Sequence, residues 1–213
     1  MPMKIDSREY RKFDSMDIRK ADDGGMIVEG YATTYNQPYE LWRDEKMTVN
    51  EQVDPHAFDG TDMRDVIMQY DHEGRVFARI ANGTLQLESD DHGLKVTANL
   101  GGTETGRQLY EEIAGGYTNK MSFGFTVTGE EKKRTKDADG RVTILRTITQ
   151  IGKLYDVSAV SLPANDATEI SSRTISNGLI AEAMKEVQAE EERQRRIGEI
   201  RKILNTEEKD HDE

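Results

Sequence analysis

A serine, a histidine and an aspartate from three separate segments are the residues of this 213-residue chain best suited to doing chemistry together. Ser122 lies in "TNKMSFGFTV", His72 follows the run "VIMQYD", and Asp156 lies in "KLYDVSAV". A serine hydroxyl is a weak nucleophile until a base takes its proton, and that base works best when a third group fixes its tautomer. The three residue types suit covalent hydrolysis if the fold brings them together.

Each residue also has a plainer interpretation. Ser122 suits an ordinary solvent-facing position on a strand, and Asp156 suits a strand-end cap that binds backbone amides. The other histidines are weaker candidates: His56 begins a loop or helical turn, His92 lies in a hairpin turn, and His211 lies in a charged tail.

Metal and nucleotide chemistry have little support in the sequence. Asp54, His56, Asp71 and His72 are ligand types for a divalent metal, but they lack the helical H-E-x-x-H spacing. The phosphate-binding glycine motifs are absent, and so is the G-x-S-x-G elbow of α/β-hydrolases. We therefore expect no metal and no cofactor.

Alternating side chains predict the strands that would carry these residues. Met121, Phe123 and Phe125 fall on one face of a strand, which leaves Ser122 and Gly124 on the other face, pointing away from the core. Asp156 shares a strand face with apolar neighbours, where a carboxylate is costly to bury unless it is paired. The sequence also predicts a hairpin around the "DDHG" turn, a helix between Thr103 and Gly115–Gly116, and a strand break near Gly152.

These elements indicate an α+β chain with a β-rich core. We divide it into a charged N-terminal segment at 1–25, a core domain at 26–170, and a helical or disordered C-terminal extension at 171–213. In the extension, Glu191 with Arg195 and Glu192 with Arg196 have the i,i+4 spacing of helical ion pairs.

Composition restricts the partners and the compartment. The formal net charge of −12 argues against binding to a nucleic-acid backbone. No apolar run approaches the roughly 20 residues that span a bilayer, and the N-terminus lacks the apolar region of a signal peptide. The chain has no cysteine, which fits a reducing cytoplasm.

Taken in order, several segments resemble the HK97-type prohead (capsid maturation) serine proteases of tailed bacteriophages, a family related to the herpesvirus assemblins. The resemblance covers about Val28 to Thr168. It is carried by these segments: "VEGYATTYN", "DPHAF", "MQYDHEGRVFARI", "LESDDHGLKVTANL", "GRQLYEEIAGGYTNKMSFGF" and "KLYDVSAVSLPANDAT".

The resemblance implies an assemblin-like β-barrel with a few surrounding helices. Carried over position by position, it makes Ser122 the nucleophile, His72 the general base, and Asp156 the group that orients His72, although many relatives have Glu in that last place. Backbone N–H groups near Ala164 and Asn165 would stabilise the oxyanion. Gly124 would leave room for the backbone of the substrate.

The resemblance also implies a function and partners. The chain would be an endopeptidase that cleaves the major capsid protein and its scaffolding segment inside the procapsid, in the cytoplasm of the bacterial host. It would process itself, with the C-terminal extension as the segment released, and a homo-oligomer is possible. Two alternatives stay open: a non-catalytic assembly or scaffold protein that kept the fold, and a metal-dependent hydrolase.

Overall fold

The structure is a computed structural model, and it describes residues 8–17, 19–20, 25–161, 181, 184–185, 187–190 and 192–201. The chain divides into two compact units, Met1–Ile175 and Ser176–Glu213. Ala164 and Asn165, to which the resemblance gives an oxyanion role, lie outside the described residues.

Most of the described strands of the first unit belong to one sheet, whose seven strands are β1 (Glu9–Asp17), β4 (Tyr39–Arg43), β5 (Met47–Val53), β6 (Ile67–Tyr70), β7 (Glu73–Arg79), β10 (Lys120–Lys136) and β11 (Val142–Val160). The longest part of this sheet is the antiparallel hairpin of β10 and β11. Strand β1 borders the free side of β10, while β5 and β6 run parallel to the two ends of β11. Strands β1 and β6, which are distant in sequence, therefore border the end of the hairpin that carries Ser122 and Asp156.

A second, four-stranded sheet is formed by β2 (Arg19–Lys20), β3 (Ile27–Thr34), β8 (Leu85–Ser89) and β9 (Gly93–Asn99). Strands β8 and β9 form the hairpin that the alternating leucines and the "DDHG" turn predict. The described strands of the two sheets give a β-rich α+β unit, and no closed barrel is found among them.

The predicted helix is α1 (Glu104–Ala114). It begins at Thr103, whose hydroxyl accepts a hydrogen bond from the Gly106 N–H at 3.0 Å, as an N-cap requires. It ends at Gly115. In the second unit, residues 192–201 are helical, and Arg196 pairs with Glu192 at 2.6 Å.

The core confirms the alternation in the strand that carries Ser122. Met121, Phe123 and Phe125 are fully buried, and the two phenylalanine rings stack with their centroids 4.4 Å apart. Burying side chains of this size stabilises the fold by about 1.5–3 kcal/mol each. This packing fixes the face of β10 on which Ser122 lies.

The expected break near Gly152 is wrong, because β11 continues through it and β10 continues through the charged stretch to Lys136. The two strands satisfy each other's backbone groups along this ribbon, so charged side chains can stay exposed on it. A Cβ at Gly152 would lie 2.6 Å from the Thr128 methyl group. That glycine therefore permits close packing within a strand instead of ending one.

Candidate active site

His72 occupies the two-residue turn between β6 and β7. Both turn residues are left-handed, with φ of 47° at Asp71 and 62° at His72, as a type I′ hairpin turn requires. The Asp71 N–H donates to the Ala159 carbonyl at 3.0 Å, and the Asp71 carboxylate accepts from the Ser161 hydroxyl at 3.1 Å. These bonds to β11 and the residue after it hold a backbone conformation that non-glycine residues rarely adopt.

The structure brings His72, Ser122 and Asp156 together. The His72 Nε2 atom lies 2.5 Å from Ser122 Oγ, and its Nδ1 atom lies 2.5 Å from Asp156 Oδ1. Ser122 and Asp156 come from the paired strands β10 and β11, and the β6–β7 turn places the His72 imidazole between their side chains. One ring thus contacts a hydroxyl through one nitrogen and a carboxylate through the other.

This group is shielded from water. Ser122 is 0% exposed and Asp156 is 2% exposed, so hydrogen bonds and charge interactions within the group are stronger than they would be in solvent. The full burial of Ser122 differs from the expectation that its hydroxyl looks away from the core into solvent. Strand β1, which belongs to the predicted charged N-terminal segment, pairs beside it, and the Arg11 carbonyl accepts a hydrogen bond from the Ser122 hydroxyl at 2.7 Å.

Two contacts around the group were missed at the sequence level. The Ser158 hydroxyl donates to Asp156 Oδ1 at 3.1 Å and accepts from the His72 backbone N–H at 3.3 Å. Its place two residues after Asp156 on the same strand face is a signal that could have indicated this role. The Tyr10 ring lies edge-on to the imidazole, with centroids 4.4 Å apart, and nothing in its charged sequence context indicates that contact.

Gly124 has a different neighbourhood from the open space that the resemblance implies. A Cβ at this position would lie 2.4 Å from Asp156 Oδ2 and 2.8 Å from the Tyr10 ring. The space in front of the glycine is therefore occupied by the carboxylate and by β1. Gly124 lets Asp156 reach His72.

The remaining polar candidates lie elsewhere in the fold. His56 is exposed and pairs with Asp59 at 3.0 Å, while Asp54 accepts a hydrogen bond from the His56 N–H at 2.8 Å. The His92 ring lies edge-on to Tyr31. Within the described ranges, no group of three or more His, Asp or Glu residues is arranged to hold a metal ion.

A buried ion cluster fastens β1 on the opposite side of the sheet. Arg11 pairs with Glu51 and Glu9, each at 2.5 Å, and Arg146 contacts the same two carboxylates at 2.5 and 2.8 Å. Glu51 also accepts a hydrogen bond from the Tyr39 hydroxyl. Burial alone would raise the pKa of Glu51, but the two arginines and the hydroxyl outweigh it and hold that pKa below its ordinary value. Burial and the neighbouring Glu51 raise the pKa of Tyr39 well above its ordinary value.

Comparison with known proteins assigns the family. The model of the Caudovirus prohead serine protease family matches residues 14–182 of the 213. The chain belongs to this family. Membership makes it a serine peptidase with a role in bacteriophage capsid maturation, acting in the procapsid within the host cell.

The other comparisons add no relative. No curated protein and no solved structure matches the chain. Among the residues that the structure describes, no helix is long and apolar enough to cross a membrane.

Proposed function

We propose that this prohead peptidase is an endopeptidase in which Ser122 is the nucleophile, His72 the general base and Asp156 the group that orients the base. The observation that carries this assignment is the position of His72, with its two ring nitrogens 2.5 Å from the hydroxyl and from the carboxylate. A bond from Nδ1–H to Asp156 leaves Nε2 free to take a proton from Ser122.

The reaction proceeds in two halves. His72 takes the Ser122 proton as Oγ attacks the peptide carbonyl carbon, and Asp156 stabilises the imidazolium that forms. The leaving amine takes that proton from His72 as the C–N bond breaks, which leaves an acyl-enzyme on Ser122. Water then attacks the ester, and the proton it gives to His72 returns to Oγ as the acid product leaves. Backbone N–H groups near Ala164 and Asn165 are our candidates for stabilising the oxyanion.

The substrate in this proposal is the major capsid protein with its scaffolding segment, cleaved inside the procapsid. Self-cleavage would release the extension at 171–213 from the core at 26–170. The assemblin-like barrel and a homo-oligomer belong to the same proposal, which rests on the family and on the sequence resemblance.

Co-expression with the major capsid protein tests the proposal. We expect coat cleavage and self-shortening with the unaltered chain, and loss of both in Ser122→Ala and in His72→Ala. The matched control is His92→Ala, which removes a histidine from the β8–β9 turn and should leave cleavage unchanged. Undiminished cleavage in both site variants would contradict the assignment. An assembly or scaffold role would be favoured if the unaltered chain also left the coat intact.

A further inference from the structure

The N-terminal strand lies directly beside Ser122. Residues Glu9 to Phe13 of β1 pair antiparallel with residues 125 to 121 of β10, and Lys12 lies opposite Ser122. Ser122 is 0% exposed in this arrangement. A peptide carbonyl needs direct access to Ser122 Oγ, so the hydroxyl must be uncovered before a substrate can react, and β1 is the edge strand beside it.

The backbone of β1 also competes with His72 for the serine proton. The Ser122 hydroxyl donates to the Arg11 carbonyl oxygen at 2.7 Å, and that oxygen can only accept. A hydroxyl has one proton, so while it points to Arg11 it is unavailable to His72 Nε2. The contact with Arg11 holds the serine in a resting orientation.

We propose that β1 is a displaceable autoinhibitory strand, which occupies the place of an extended peptide along β10 and must leave before Ser122 can react. The proposal rests on Ser122 being the nucleophile. Strand addition to a free edge is a general mode of peptide recognition, and β1 supplies from its own chain the strand that a substrate would supply.

Two features suit β1 to reversible release. In the described sheets it hydrogen-bonds along one side only, to β10, and its register shifts after Phe13. Beyond its backbone pairing with β10, its attachment comes from buried ion pairs, in which Arg11 bonds Glu51 at 2.5 and 2.9 Å and Glu9 bonds Arg146 at 2.8 Å. An edge strand held in this way can open without unfolding the core.

Release of β1 would leave a subsite with a defined preference. Glu9 and Arg11 depart together, while Glu51 keeps its contacts with Arg146 and Tyr39. A peptide that replaces β1 in the same register would place one side chain beside the Glu51 carboxylate. A basic residue at that position restores the lost ion pair, so we expect the site to prefer Arg or Lys there.

Labelling of the full-length chain with a fluorophosphonate, which reacts with activated serines, tests the proposal. We compare the wild type with Arg11→Ala, which weakens β1, and with Arg79→Ala, which removes an arginine from an exposed pair with Asp65. Loss of a buried charged hydrogen bond should speed the labelling of Ser122 by about tenfold or more. Arg79→Ala should label at the wild-type rate.

The outcomes separate the two proposals. Detectable labelling of Ser122 in the wild type that is no faster in Arg11→Ala would overturn the autoinhibitory role. Absence of any label on Ser122 in all three chains would contradict the nucleophile assignment instead.

Hydrogen exchange of the wild-type chain gives a second test that needs no variant. We expect the amides of residues 9–13 to exchange at least about tenfold faster than those of residues 154–160, because β1 opens locally. Equal protection of the two segments would mean that β1 leaves only on global unfolding, and would overturn the proposal.

A synthetic peptide tests the subsite. The peptide with the sequence of residues 8–17 should slow the labelling of Arg11→Ala. The same peptide with Glu in place of the arginine that corresponds to Arg11 should not. Equal effects of the two peptides would contradict the preference for a basic residue.

Discussion

Substitution of Gly124 by alanine should damage the candidate site without replacing any of its three members. The added Cβ would lie 2.4 Å from Asp156 Oδ2 and 2.8 Å from the Tyr10 ring, closer than real Cβ contacts allow. The carboxylate must therefore move away from His72. A misplacement of about 1 Å in a catalytic group costs about 100-fold in rate. Overpacking of this kind also costs about 1–3 kcal/mol of the free energy of unfolding.

Coat-protein cleavage on co-expression and the rate of fluorophosphonate labelling measure the first effect, and thermal unfolding measures the second. The matched control is Gly102→Ala, because a Cβ at Gly102 meets nothing within 4 Å. We expect wild-type behaviour from the control. Wild-type cleavage and labelling in Gly124→Ala would refute the idea that this glycine makes room for an Asp156 carboxylate that the reaction needs.

Three further predictions use other contacts. Ser158→Ala should slow labelling by about tenfold, because it removes the hydroxyl that donates to Asp156; an unchanged rate would exclude a positioning role. The pKa of Glu51 is lowered in the folded chain, so its stabilising effect is complete above its ordinary value of 4.5 and is lost as the pH falls through the folded value. Thermal unfolding measured against pH should therefore show that acidification lowers the unfolding temperature less in Glu51→Gln than in the wild type. Gly93→Ala should lower the unfolding temperature, because its Cβ would lie 1.9 Å from the Thr33 carbonyl oxygen, and an unchanged temperature would contradict this.

Local patterns in the sequence predicted much of the fold. The β8–β9 hairpin, the Thr103-capped helix and the buried face of β10 follow from periodicity and capping chemistry, which operate over a few residues. The lengths of β10 and β11 did not follow from the sequence. Pairing between the two strands decides where they end, and it overrides the glycine and the charges that would otherwise indicate a break.

Part of the candidate site was likewise predictable from the sequence, and part of it was not. Residue types and the family resemblance predicted Ser122, His72 and Asp156, and the structure places His72 in contact with each of the other two side chains. The part played by β1 was not predictable from the sequence. Its residues read as a charged segment outside the core, because a partner 40 residues away, Glu51, makes Arg11 a buried residue. The role of Gly124 could not be predicted either, because it depends on the Asp156 side chain of the neighbouring strand.

The central claim is that His72 activates Ser122, and mapping of the fluorophosphonate adduct tests it most directly. Mass spectrometry of the proteolysed, labelled chain should place one adduct on the peptide that contains Ser122. We expect His72→Ala to abolish that adduct. An adduct on a different residue, or labelling of Ser122 at the wild-type rate in His72→Ala, would contradict the claim.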